Sequence, residues 1–384
     1  MNRDVDVMRL LAGARPAELD PDDGAAERVL AAVMASASAP RHPAPPARAR
    51  RTAMLALGGG TAAVAAALLA LLALQALPGA ARPAPAVPPA ATAASARDVL
   101  LAAARQPTTG PASGRYWHET TRTSSVVRAG QGDAAYLVEI GTQIDDWFAA
   151  GASDRSWFVS QSLGGHPLTP EDEAAWRRAG APDHFDVRVD KGGGTVATGT
   201  FDARPGQPVS APVDRQSSVF DVGRPGISLS DLARLPADPA ALRARLAELH
   251  RQGDPAATDA PKDLDPWLFQ AASSLLNAPV PPEVRSAALR LLADLPGVTN
   301  AGGATDPLGR TGVAIAETST DPLSGTVQRQ LVIDPATGRL LATQTIVQRP
   351  GTAEPWARPG LRISSITTVS AGWTDATPPT ASSR

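Results

Sequence analysis

The sequence predicts an α+β protein: an antiparallel sheet with covering helices, carried outside a membrane by one spanning helix and a proline-rich spacer. Three observations lead there. Thr52–Leu77 is a stretch of 26 residues without a charge, long enough to satisfy its own backbone as a helix across a hydrocarbon core, which needs about 20 apolar residues. All fifteen aromatic side chains fall between Tyr116 and Trp373, so the large groups that fill a core sit beyond that stretch. Within that later region, runs rich in β-branched and aromatic residues stand between Gly, Asp and Pro breaks, before and after a block of proline-started helices.

The leader, residues 1–51, carries two short helical patterns. Val5, Met8, Leu11 and Ala12 recur at helical spacing before Pro16, and Val29, Leu30 and Val33 share one side of the run after Asp20, Asp22 and Asp23. About three turns of helix is marginal in isolation, so the segment either gains its stability from a partner or the membrane surface or is a disordered leader whose periodicity is chance. Leu11, Val29, Leu30 and Val33 are the candidate partner-binding residues. The arginines Arg41, Arg48, Arg50 and Arg51 precede the span without an intervening acid, and retained positive charge places the N-terminus in the cytoplasm and the C-terminus outside. A cleavable secretory signal fits less well, because its apolar core follows a short basic leader rather than 51 residues. Beyond the span, residues 78–94 form a Pro/Ala-rich linker, with five prolines in Pro78–Ala90, a semi-rigid extended spacer.

The extracytoplasmic α+β domain is expected over residues 95–374. A helix begins near Ser95 with Val99, Leu100 and Ala103 buried. Strands then follow at "RYWHETTRTS", "AAYLVEIGTQIDDWFA", "SWFVSQSL", "HFDVRVD" and "TVATGTFD", the second readable as one long strand or two. Thr169-Pro170, Asp238-Pro239 and Asp265-Pro266 each put an acceptor at a helix cap with proline next, and Pro281-Pro282 opens another helix. Leu242, Leu246 and Leu249 lie on one face of the second of these, which stops at Gly253. Strands return at "TGVAIAETS" and "QRQLVIDPATGRLLATQTIVQ", where Asp334–Gly338 has the chemistry of a hairpin turn. "LRISSITTVSAGW" supplies the last strand, and residues 375–384 read as a disordered tail.

Composition excludes several chemistries. The absence of cysteine removes disulfides, thiolate metal sites, a cysteine nucleophile and a lipid-modified cysteine anchor. A net charge of −2 with scattered arginines gives no nucleic-acid surface. The five histidines stand apart from one another and from acids at metal-ligand spacings, so no metal or cofactor is expected. Asp145-Asp146 are neighbours that face opposite ways on a strand, and Glu171-Asp172-Glu173 suit the first turn of a helix. "KGGGTVATG" from Lys191 lacks the closing Gly-Lys-Ser/Thr of a phosphate loop and reads as a hairpin tip. No G-x-S-x-G elbow is present, and no catalytic residue is assigned.

The order "LPADPAALRARL", "PPEVRSAALRLLADLPGV", "TDPLGRTGVAIAE" and "LVIDPATGRLLATQTIV", over about Leu235 to Val347, resembles a poorly characterised family of single-pass membrane proteins from GC-rich bacteria. Members are commonly encoded beside extracytoplasmic-function sigma factors and have an anti-sigma-like layout. The chain lacks the His-x-x-x-Cys-x-x-Cys motif of zinc-containing anti-sigma domains. The mixture of one helix, successive strands, further helices and an "IDPATGRLL" hairpin also looks like the curved half-barrel of periplasmic lipoprotein carriers and lipid-binding sensor domains. The resemblance implies an envelope sensor joined through one helix to a sigma-factor-binding segment. The alternative is a membrane-anchored protein that binds lipid or envelope material without regulating anything. If the sheet is such a half-barrel, its concave face would hold an apolar cleft with Trp117, Phe158 and Val187 as its candidate lining; the alternative is that these side chains simply fill the core.

Overall fold

Ser95 opens the folded region by chemistry legible in the sequence. Its hydroxyl accepts the Asp98 N–H while the Asp98 carboxylate accepts the Ser95 N–H, a reciprocal cap for α1 (Ala96–Ala103). The computed structural model describes residues 94–379 apart from 108, 191–195, 214–218, 221, 223–226, 254–260 and 262. The candidate span and Leu11, Val29, Leu30 and Val33 lie outside these residues. Among the described residues, no helix is long and apolar enough to cross a membrane.

Two 14-residue strands, β1 (Tyr116–Ala129) and β2 (Tyr136–Ala149), form the first hairpin, joined over a single 3-10 turn at Gly132–Ala134. The run from Tyr136 is therefore one strand. The chain continues through β3 (Ser156–Pro167), α2 (Pro170–Arg178), β4 (His184–Asp190), β5 (Val196–Asp202), β6 (Val209–Val213), and the two-residue strands β7 (Val219–Phe220) and β8 (Ile227–Ser228). A helical block follows: α3 (Leu229–Leu232), α4 (Pro239–Gln252), α5 (Leu264–Ser274) and α6 (Pro282–Ala293). The last strands are β9 (Thr299–Thr305), β10 (Thr311–Asp321), β11 (Gly325–Ile333), β12 (Leu340–Pro350) and β13 (Arg362–Thr374).

Eleven of these strands make one antiparallel sheet, in the order β6-β3-β2-β1-β13-β12-β11-β10-β9. The β4–β5 hairpin joins it through a bridge from Val187 to Ala129 of β1. The fold is thus α+β and mostly sheet. The first and last strands of the domain are neighbours at its middle, paired from Tyr116 opposite Thr374 to Ser125 opposite Ser364 with one register shift between Thr120 and Thr121. β6 and β9, at the two ends of this order, are passed over by sequence reading, as are the two-residue strands β7 and β8. "TNAGGAT" has little β propensity, and Pro212 in β6 is tolerated because an edge strand has one unpaired side.

Apolar side chains close one face of this sheet in two places. Leu242, Leu246 and Leu249 of α4, Trp267, Leu268 and Phe269 of α5, and the Val284–Leu292 stripe of α6 pack with Trp117, Ile315, Leu331 and Ile333 of the sheet. Each such side chain contributes about 1.5–3 kcal/mol by leaving water. A second cluster gathers Val127, Ala129, Tyr136, Val138 and Ile140 under Phe185 and Val187 of β4, with Trp176 of α2 alongside.

The caps at Thr169 and Asp238 form as their sequence predicts, accepting the backbone N–H of Asp172 and Ala241. Asp265 does not cap α5. The helix begins two residues earlier than expected, at Leu264 after Asp263, which leaves Asp265 inside the first turn, where its carboxylate pairs with Arg243 at 2.8 Å. Asp334–Gly338 makes the expected turn: Asp334 accepts from the Ala336 N–H and the Thr337 hydroxyl, and Gly338 takes φ +69°. A Cβ there would sit 2.6 Å from the Ala103 carbonyl oxygen, so only glycine fits without movement. At the chain's end, Pro378 is buried and the Ser210 hydroxyl donates to the Pro379 carbonyl.

Candidate functional site

Strand alternation sorts "YWHET" of β1 and "DDWF" of β2 onto two faces. The register pairs Trp117 with Phe148, His118 with Trp147, Glu119 with Asp146 and Thr120 with Asp145. Asp145 and Asp146 do face opposite ways, as a strand requires. Each meets a different set of partners.

On one face, His118 stacks on Trp147 with ring centroids 3.8 Å apart, and Tyr116 meets the same indole edge-on at 6.0 Å. The Thr120 hydroxyl donates to Asp145 Oδ1 at 2.6 Å, and His118 Nε2 lies 3.3 Å from both that oxygen and Thr120 Oγ1. Gln143 donates to the other carboxylate oxygen at 3.4 Å. Burial pushes the Asp145 carboxyl up, and the hydrogen bonds from His118, Thr120 and Gln143 outweigh it, holding the group below its ordinary value. This is a satisfied network. A hydroxyl whose proton rests on a carboxylate is not presented to the imidazole as a nucleophile would be.

The other face is the one the apolar clusters cover. Along β1 it runs Trp117, Glu119, Thr121, Thr123, Ser125, Val127, and along β2 Phe148, Asp146, Ile144, Thr142, Ile140. Trp117 belongs to the helical cluster and Val127 to the second one. The interval between them is largely polar. At its start Glu119 and Asp146 oppose each other, flanked across neighbouring strands by Ala371 of β13 and Phe158 of β3. Both are half-buried, and neither has a hydrogen-bond or ion-pair partner among the described residues. Burial first, and Asp146 second, push the Glu119 carboxyl up to about 8. Burial and the charge of Asp145 push Asp146 up to about 7. Glu317 shows the contrast: its carboxyl is also buried with one oxygen unpartnered, but Arg329 stands opposite in register and counters the rise.

The three residues expected to line one cleft are placed apart. Trp117 is in the helical cluster, Val187 is 2% exposed in the second cluster, and Phe158 is half-buried on β3 opposite Asp146. Glu119 is the residue that sequence reading missed. Its signal was parity: it stands two places from Trp117 on β1, as Asp146 does from Phe148 on β2, so both acids share the face of a buried aromatic.

Elsewhere, a surface hollow of about 170 Å³ is lined by Ile227, Asp231, Arg234, Leu235, Arg245 and Leu249 among others. Its arginines are already paired, Arg234 with Asp231 at 2.6 Å and Arg245 with Glu248 at 2.8 Å. Among the described residues, no group of three or more metal-ligating side chains is gathered. No protein-family model matches the chain, and no curated protein sequence does either.

Proposed function

We propose that this is a single-pass membrane regulator whose outer α+β domain senses an envelope ligand and whose cytoplasmic leader binds a sigma factor. On this reading Thr52–Leu77 spans with the N-terminus inside, the sheet is a lipoprotein-carrier-like half-barrel with the helices on its concave face, and the chain belongs with the family encoded beside sigma factors. The observation that supports a binding role is the polar interval between the two apolar clusters. A face shaped for stability alone would continue the apolar run, because opposed carboxyls without a cation cost free energy. An anchored binding protein with an inert leader draws on the same observation, and the leader separates the two readings.

Leu11, Val29, Leu30 and Val33 are proposed to enter an apolar groove of the sigma factor, where burial offsets the ordering of two short helices. Deleting residues 1–35 while keeping the arginines and span should raise expression of the sigma factor's targets, and Val29→Asp with Val33→Asp should do the same. Unchanged transcription in both, with no sigma factor captured by the leader, would leave the anchored binding protein.

A further inference from the structure

Aromatic rings border the Glu119–Asp146 pair on the Trp117 side and across β3, while Ala371 of β13 and the Thr121–Ile144 pair border it elsewhere. Trp117 and Phe148 flank it on its own strands, Phe158 opposes Asp146 across β3, and Trp373 opposes Trp117 across β13 with ring centroids 5.5 Å apart. Phe220 of β7 meets Phe148 at 4.3 Å. None of these titrates. Among the described residues, the charges that bear on the two carboxyls are their own and that of Asp145 on the far side of β2. An independent observation adds a donor: the Trp117 side chain is 5% exposed, and its indole N–H is buried without an acceptor.

We propose that this patch binds a primary ammonium group on an apolar body, with an oxygen acceptor close to the nitrogen. Ionised carboxylates in poorly solvated surroundings attract a cation strongly, and an ammonium's three N–H donors match carboxylate oxygens. The aromatic faces add cation–π attraction and cover the apolar body. The acceptor oxygen takes the unpaired Trp117 N–H, which leaves no buried donor orphaned. A hard divalent ion fits poorly, since calcium seeks six to eight oxygen ligands and magnesium a full octahedron, and the patch offers two carboxyls. The ligand class deepens the sensor reading and rests on it for biological meaning, whereas the binding itself does not depend on the leader.

The test uses the full-length chain in a non-ionic detergent, with tryptophan fluorescence as the readout and 2-hexyloxyethylamine, hexylamine, hexanol and hexanoate as probes. The ether amine should bind saturably and about tenfold more tightly than hexanol or hexanoate at about pH 8.5. Its affinity should fall about tenfold by about pH 5.5, where the carboxyls are protonated while the amine stays charged. Glu119→Gln with Asp146→Asn should abolish the preference for amines with the thermal transition retained, and Asp146→Asn alone, with one carboxyl kept, should weaken it. Trp117→Phe should reduce the ether amine to the affinity of hexylamine. Equal binding of hexanoate, no saturable response, or an unchanged amine preference in the double variant would overturn the proposal. Amine binding without any transcriptional effect of the 1–35 deletion would keep the site and remove the regulator, and the converse result would remove the site alone.

Discussion

Raising the pH should weaken the folded state, and the Glu119–Asp146 pair sets the window. Unfolded, the two groups release their protons near their ordinary values of 4.5 and 3.8, whereas folded they hold them up to about 8 and about 7. Between those limits the native state carries more protons, so the unfolding free energy falls as pH rises. The stabilisation is complete below about pH 4 and gone above about pH 8. Asp146 rises by roughly three units, on the order of 4 kcal/mol at about 1.36 kcal/mol per unit. Partial access of water cuts that by about half, leaving ~2 kcal/mol for each carboxyl. Urea unfolding of the full-length chain, followed by tryptophan fluorescence at several pH values, gives the slope directly. Glu119→Gln with Asp146→Asn should match the wild type near pH 4 and exceed it by about 4 kcal/mol near pH 8. A double variant with the wild-type slope, or a wild type that gains stability from pH 5 to 8, would refute the reasoning.

Leu246 is fully buried among the helices, so Leu246→Ala should cost about 2–5 kcal/mol through the cavity it leaves; a loss below about 0.5 kcal/mol in the same unfolding assay would remove it from the core. Gly338→Ala should cost about 1–3 kcal/mol, because the residue has φ +69° and its Cβ would press on the Ala103 carbonyl; unaltered stability would show that the turn yields. Protease added to spheroplasts should digest everything after Leu77 and spare residues 1–51; protection of the later part would invert the proposed topology.

Local chemistry explains which parts of this fold can be read from sequence. Ser95, Thr169 and Asp238 cap helices because the acceptor and the N–H it serves lie three residues apart, and Asp334–Gly338 encodes its turn within five residues. Asp265 carries the same signal and fails, because the helix starts earlier, at Leu264, and takes Asp265 into its first turn, where it pairs with Arg243 of another helix. The edge strand β9 has a sequence poor in strand formers and is held by its pairing with β10, a contact that no local pattern reports. The candidate site depends on distance in the same way. That Asp145 and Asp146 diverge follows from strand geometry, but that Asp146 meets Glu119 depends on a register set across 27 residues. Trp117 and Val187 are buried as their apolar character requires, yet which cluster each joins is decided by helices and a hairpin encoded elsewhere, and Phe158 stays half-buried outside both.

The adjacency of β1 and β13 gives the order of synthesis a consequence. A ribosome completes the middle of this sheet last: until Arg362–Thr374 emerges, β1 has no neighbour on that side, and the halves β2-β3-β6 and β12-β11-β10-β9 have nothing to join them. A chain stopped anywhere before Arg362 therefore loses the seam of the sheet rather than its hem, and exposes two strand edges that invite pairing with other chains. Quality-control proteases should clear such fragments quickly, while a truncation after Thr374 leaves the seam closed. Emergence of β13 is thus the event that commits the domain to its native form.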